Sequence, residues 1–278
     1  MTAPRRTTDV ARLAATHGVL AAGAVVTLFP FYVMVRSAFT PEPYILDGSL
    51  GLSHLTLDNF VAAWRAAPWG RYYLDSILVT GLIFLCQLIT AVPAGYALAR
   101  LRFRGRSVLF WGVLVCFIVP PQVVAIPNYV LLARVGLNDS IAGLVLPYAC
   151  TGFGIYLMRQ FILSIPQSLF DAARLDHVGP IAMVWRVVLP NVKPAILALA
   201  VFSVIYNWND LFWPSVILRT NAHGTVPYGI SLFSSQESGS NYGAQTAAAT
   251  LAVIPLLLGF LACQRHFVRG LAIARGLD

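Results

Sequence analysis

Apolar residues fall in six runs separated by short polar stretches, near 13–35, 73–99, 108–132, 141–163, 195–217 and 246–264. Each run has the roughly 20 residues that a helix needs to cross the hydrocarbon core of a bilayer. The pattern predicts an all-α, polytopic membrane protein with six transmembrane helices, folded as a single domain over residues 1–278. The first run is too long for the apolar part of a secretion signal, and no small-residue cleavage site closes it, so it reads as a span. In the third run, Pro120, Pro121 and Pro127 are expected to kink or interrupt the helix. Residues 36–72 and 218–245 are long enough to carry structure of their own outside the membrane. No internal repeat, coiled coil or extended low-complexity tract is evident.

Composition strengthens this picture. The chain is 58% hydrophobic and only 11% charged, whereas a soluble domain carries roughly 25% charged residues. The net charge of +8 could suggest nucleic acid, but the basic residues are nearly all Arg, clustered between apolar runs and forming no stripe. Their placement sets orientation instead, because cytoplasmic loops accumulate Arg and Lys. Fourteen of the nineteen basic residues fall on one side, around residues 5–12, 100–106, 159–193 and 265–275. Arg36, Arg65, Arg71, Arg134 and Arg219 fall on the other. Both termini are therefore expected in the cytoplasm. Cys86, Cys116, Cys150 and Cys263 lie in or beside apolar runs without CxxC spacing, so neither a zinc site nor a disulfide framework is expected. His17, His54, His223 and His266 are scattered, and no metal or catalytic role is assigned to them.

The most informative polar segment is SIPQSLFDAARLDHVGPIAMVWRVVLPNVKP, residues 164–194. Ser164 and Pro166 signal a helix start, and Leu169, Ala172 and Ala173 recur at helical spacing. Residues 176–179 read as a turn, and Pro180 opens a second short helix. The expected apolar face of that helix is Ile181, Val184, Trp185 and Val188, with Pro190 as its stop. A short hairpin at the cytoplasmic surface follows. Two readings of it stay open from the residues alone: a docking element for a partner, or an amphipathic hairpin lying on lipid headgroups.

The segment resembles the EAA loop of permease subunits of ATP-binding-cassette importers. Asp171, Ala172 and Ala173 stand for its Glu-Ala-Ala triplet, and Val187, Leu189 and Pro190 for its closing Ile-x-Leu-Pro. His177 occupies the position of the usual glycine, with Gly179 two residues later, which puts the turn itself in question. AGYALARLRFRGR at 94–106, PPQVVAIPNYVLLARVGLNDSIAGLVLPY at 120–148, NWNDLFWPSVIL at 207–218 and QRHFVRGL at 264–271 resemble the maltose-type inner permeases of the carbohydrate-uptake group. Asp75 stands where that group usually has Asn, and the ending AIARGLD departs from its usual tail.

The resemblance implies a type I importer permease in the bacterial inner membrane. Its implied partners are a second permease of different sequence, an ATPase dimer that uses ATP and Mg, and an extracytoplasmic solute-binding protein. It also implies that Asp171, Ala172, Ala173, Asp176, His177, Gly179, Leu189 and Pro190 couple this chain to the ATPase. The residues agree that this chain is not itself the motor, since its only lysine, Lys193, lies outside any glycine-rich phosphate loop. No cofactor is expected on this chain.

Candidates for the translocation path are Asn207, Trp208, Asn209 and Asp210 in the fifth run, and more weakly Asn128 and Gln122 in the third. An acid at mid-membrane costs about 2.5–3.5 kcal/mol on insertion scales, so Asp210 should face protein or water. Amides and carboxylates suit hydroxyl-rich solutes, and Trp208 or Trp213 could stack on a sugar face. The alternative is that these groups bond to neighbouring helices. A glycerol phosphate ester or polyol is the competing cargo, but no Arg is evident inside a span to meet a phosphate. An intramembrane enzyme is disfavoured by the absence of HExxH and GxSxG. A stand-alone transporter is disfavoured by the lack of a second inverted half.

Overall fold

The computed structural model describes residues 5–47, 51–234 and 241–274, and all regular structure among them is helical. In chain order the helices are α1 (Arg5–Ala38), α2 (Asp58–Ala66), α3 (Trp69–Arg100), α4 (Arg106–Ile118), α5 (Ala125–Arg134), α6 (Ile141–Val145) and α7 (Gly152–Ser164). They continue as α8 (Gln167–Leu175), α9 (Pro180–Met183), α10 (Leu189–Asn191), α11 (Lys193–Trp208), α12 (Phe212–Ile217), α13 (Val226–Ser231) and α14 (Tyr242–Ala274). The far ends of the chain, on which the expected placement of the termini bears, lie outside the described residues.

Among the described residues, three stretches are long and apolar enough to cross a membrane unbroken: Arg12–Ala38, Trp69–Arg100 and Tyr242–Gly259. The others are broken. The expected third span divides into α4 and α5 around residues 119–124, where Pro120 and Pro121 remove two backbone donors. Pro127 does not contribute to that break, because it sits in the first turn of α5, where an N–H has no helical partner anyway. The expected fourth span is Ile141–Tyr148 followed by α7, bent by 47°. The expected fifth is α11 and α12, interrupted at residues 209–211.

Proline explains the second and third interruptions as well. Pro147 cannot donate to the Gly143 carbonyl four residues back, and that freed oxygen instead accepts the Trp213 indole N–H at 3.0 Å. Pro214 likewise leaves the Asp210 carbonyl without its helical donor. The Asp210 side chain then accepts from the Trp213 amide at 3.4 Å, and Asn209 Nδ2 donates to the Ile205 carbonyl at 2.7 Å. Side chains that bond nearby backbone in this way compete with a continuing ladder.

The described residues form two compact units. One comprises Met1–Pro68 with Ile230–Ile254, the other Trp69–Gly229 with Pro255–Asp278. In the first, Asn59 Nδ2 on α2 donates to the carbonyls of Ala38 (3.1 Å) and Thr40 (2.7 Å), closing the C-terminal end of α1. The Arg36 guanidinium, 5% exposed, gathers the carbonyls of Tyr44, Ile45 and Gly51, each at 3.3 Å. Glu42 accepts from the amides of Tyr242 and Gly243 at 3.1 and 2.9 Å, placing a carboxylate at the positive end of α14.

The second unit is organised on α3. One end of that helix contributes Val79 and Ile83 to a core with Leu144, Trp213 and Ile217. The other contributes Ala91, Val92, Tyr96 and Ala99 to a core with Met158, Ile162, Phe170, Val188 and Leu199. Small residues let α3, α7 and α11 approach closely. A Cβ on Gly95 would lie 2.7 Å from Met158 Cβ, and one on Gly154 would lie 3.2 Å from Leu199 Cδ1.

Candidate functional site

Residues 165–191 form the hairpin that the sequence predicts, with α8 as one arm and Pro180–Asn191 as the other. The turn is a Schellman motif. The His177 amide donates to the Arg174 carbonyl and the Val178 amide to the Ala173 carbonyl, both at 3.0 Å. His177 has φ 56°, so it adopts the left-handed conformation expected at the position where the resemblance has glycine. Gly179 does not need such freedom: its φ is −68°, and it precedes the first turn of α9.

The second arm departs from expectation. Its helix does not stop at Pro190 but runs to Asn191, because Val184–Val188 widens to a π-helical turn in which the Leu189 amide donates to Val184, five residues back. The wider turn accommodates a proline that lacks a donor and whose ring would clash with the preceding turn. The buried face also differs from the expected one. Met183, Val184 and Val188 pack into the core, while Ile181 and Trp185 are 79% and 68% exposed rather than part of the apolar face.

The hairpin thus has two apolar faces. The inner one, with Phe170, Ala173, Val178, Met183 and Val188, packs on α3 and α7. The outer one exposes Leu169, Ala172, Leu175, Ile181 and Trp185 beside Asp171 and Asp176. Asp171 accepts from Gln167 at 2.9 Å and from Arg174 at 3.0 Å. Leu189 is half-buried, and Pro190 is exposed.

Arg100, at the end of α3, ties the hairpin down. Its guanidinium donates to the carbonyls of Ile162 (2.8 Å), Leu163 (3.3 Å) and Ile165, and to Gln167 Oε1 (2.7 Å). It also lies 4.5 Å from the centre of the fully buried Phe170 ring. A cation thereby meets the negative end of α7. In the sequence this residue reads only as part of an arginine cluster, and spacing gives no hint of its anchoring contacts.

Within the same unit, a cavity of about 570 Å³ opens where the helices break. The 116–124 segment, the bend at 147–153 and α11 wall it, and Gln87 reaches it from α3. Of the residues expected on a path, Asn207 and Asn128 line it, whereas Gln122, Trp208 and Asn209 do not. Gln122 is exposed in the proline turn, Trp208 is buried in packing, and Asn209 is exposed just past the end of α11, its amide bonded to the Ile205 carbonyl. Asp210 lines a neighbouring chamber of about 10 Å³, which shares Tyr148, Asn207 and Trp213 with the larger cavity. Tyr148, Tyr206 and Gln87 are lining residues that sequence reasoning missed. The available signal for Gln87 was a lone amide in an apolar run, and for Tyr148 its place beside Pro147.

Asp75, the other departure from the resemblance, is 2% exposed. It accepts from Arg71 Nε and the Gly224 amide at 3.2 and 3.3 Å and lies 3.2 Å from His223 Nδ1, joining the start of α3 to the 218–225 loop. Among the described residues, no three His, Cys, Asp or Glu side chains gather as a metal-holding group.

Residues 91–273 match the family model described as a binding-protein-dependent transport system inner membrane component. The arabinooligosaccharides transport system permease protein AraQ of Halalkalibacterium halodurans is 28% identical over 255 residues, covering 90% of this chain and 91% of the relative. The sn-glycerol-3-phosphate transport system permease protein UgpE of Yersinia pestis is 31% identical over 265 residues, covering 92% and 94%. A chain of a bacterial ABC transporter involved in the import of the acidic polysaccharide alginate superposes with TM-score 0.78 at 24% identity, over 96% of this chain and 99% of that one.

Proposed function

The chain belongs to the family of binding-protein-dependent transport system inner membrane components, and from that premise we propose that it is one half of the path of an ATP-driven importer for a sugar or sugar derivative. In this reading the chain crosses the bacterial inner membrane six times with both termini in the cytoplasm. The three unbroken stretches supply three spans, and α4–α5, α6–α7 and α11–α12 supply the broken ones. A second permease completes the path, an ATPase dimer beneath hydrolyses ATP with Mg, and an external binding protein delivers the solute. This subunit performs no catalysis of its own.

The observation that carries the reading is the two-faced hairpin. Its inner face is locked to α3 and α7, while its outer face presents Leu169, Ala172, Leu175, Ile181 and Trp185 with two acids. An element held on one side and apolar on the other can pass a push from an ATPase cleft into the spans. The sugar reading draws support from the arabinooligosaccharide relative. A phosphate ester is the competing cargo, supported by the sn-glycerol-3-phosphate relatives at 31% identity.

Ala172 gives the cleaner test of coupling. Ala173 is half-buried against the core, so a bulky residue there would disturb the hairpin itself. Ala172→Trp in the assembled importer is expected to abolish uptake while membrane insertion and melting temperature stay at wild-type values. Wild-type uptake by this variant would sink the coupling assignment.

A further inference from the structure

We infer that the 570 Å³ cavity within this chain is itself a solute subsite, selective for a neutral, hydroxyl-rich solute over a phosphate ester or a uronate. The inference rests on the importer reading and adds to it which subunit touches the cargo and what charge the cargo carries. The volume falls in the range of roughly 300–1,000 Å³ typical of small-molecule sites, enough for a short saccharide segment.

Asn207 supplies the polar argument. It is 5% exposed on the cavity wall, and its Nδ2 donates to the Ser203 carbonyl at 2.7 Å. A carbonyl can only accept, so the orientation of the amide is settled: Oδ1 faces away from Ser203. That oxygen is buried, and among the described residues no donor reaches it. An unpaired buried acceptor is costly, and a solute hydroxyl admitted at this wall would supply the missing donor. The apolar argument comes from rings. Phe202 and Tyr206 line the wall and are 60% and 54% exposed, and Tyr206 meets Tyr148 edge to face at 6.3 Å. Such rings offer platforms for the C–H face of a sugar.

Charge selects among solutes. The cavity lining contains amides, hydroxyls and rings, and no Lys, Arg or His belongs to it. Asp210 lines the adjoining chamber, which shares Tyr148, Asn207 and Trp213 with the cavity, and it is not part of the cavity wall. A phosphate or carboxylate entering here would lose its hydration without gaining a counter-cation.

Two native thiols report on occupancy, since Cys116 and Cys150 both line the cavity and are exposed. The experiment uses the purified importer with its second permease, ATPase and binding protein. It follows labelling of these cysteines by a small methanethiosulfonate reagent, read by mass spectrometry. The probes are neutral oligosaccharides of arabinose, glucose and galactose, sn-glycerol 3-phosphate, and a mannuronate trisaccharide.

A neutral oligosaccharide at ten times its Kd should slow labelling about tenfold, as occupancy requires. Asn207→Leu should raise the concentration for half-protection roughly five- to tenfold, the worth of one hydrogen bond. Tyr206→Leu replaces an exposed ring, does not threaten the fold, and should weaken protection in the same direction. Protection by the acidic probes alone, by no probe, or undiminished in both variants overturns the inference. ATP-driven uptake and binding-protein-stimulated ATP hydrolysis are measured on the same samples. Their loss in the wild type would count against the importer reading, whereas unprotected thiols in an active importer count against the subsite.

Discussion

Arg100 belongs to the arginine cluster on which the expected orientation rests, yet both terminal nitrogens of its guanidinium are engaged in structure, while Nε is buried without a partner among the described residues. One planar fork reaches three carbonyls at the end of α7, the Gln167 side chain and the Phe170 ring. Lysine would keep the charge but offers a single point, so it cannot meet carbonyls and amide together. Arg100→Lys is therefore expected to cost about 1–3 kcal/mol, to lower the melting temperature in detergent, and to speed hydrogen exchange across residues 165–178. Wild-type exchange in that stretch would remove Arg100 from its anchoring role. His177 shows a different residue-level compromise. An L-residue in the left-handed region costs roughly 1–2 kcal/mol, and here the two Schellman hydrogen bonds hold it there, with Ala173 and Val178 both packed on the core. The substitution for glycine is legible in the sequence. That the turn keeps its geometry despite it is not, because that depends on the bonds closing around it.

At the scale of elements, the hairpin and the broken helices show how proline redistributes backbone groups. Pro190 is accommodated by a π turn over Val184–Val188, and the face read at 3.6-residue spacing holds only in part: Val184 and Val188 are buried, whereas Ile181, ahead of that turn, and Trp185 are exposed. Pro147 frees the Gly143 carbonyl for Trp213, which links α6 to α12. A second link between these segments is Asp139. It adopts φ 56° and accepts from the Thr220 hydroxyl at 2.6 Å and from the amides of Arg219 and Thr220. The Thr220 hydroxyl above all, with the two amides, holds its carboxyl below the usual aspartate range against a smaller opposing effect of burial. A depressed folded-state pKa contributes stability above the unfolded value, and that contribution is lost as pH falls through the folded one. Asn tolerates the same backbone region, so Asp139→Asn isolates the charge. The variant should melt below the wild type at neutral pH, and the gap should close as pH falls below about 4. A gap that does not change with pH would show that ionisation of Asp139 carries no stability.

At the scale of the whole molecule, the second unit depends on how closely α3 can approach α7. A Cβ at Gly95 would fall 2.7 Å from Met158 Cβ and 3.0 Å from the Arg159 amide. Gly95→Val should therefore cost at least about 1–3 kcal/mol through overpacking, read as a lower yield of monodisperse protein and a lower melting temperature. A variant as stable as the wild type would mean that the two helices can part without loss. The sequence by itself determined the features that are local or additive. These are the helical class, the apolar runs of spanning length, the uneven distribution of arginine, and the hairpin with its two arms and turn at residues 176–179. Each depends on composition, spacing or a proline, and none needs a distant partner. Only the tertiary structure decided where the runs break, which hairpin face is buried, and which polar groups converge. Asn207, Tyr148 and Gln87 come from separate helical segments and meet around one cavity, while Trp208 and Asn209, adjacent to Asn207 in the chain, turn away from it. Helical periodicity orients a side chain about its own axis and carries no information on which other helix lies opposite. That information resides in close-packed contacts such as Gly95 on Met158, which join residues far apart in the chain.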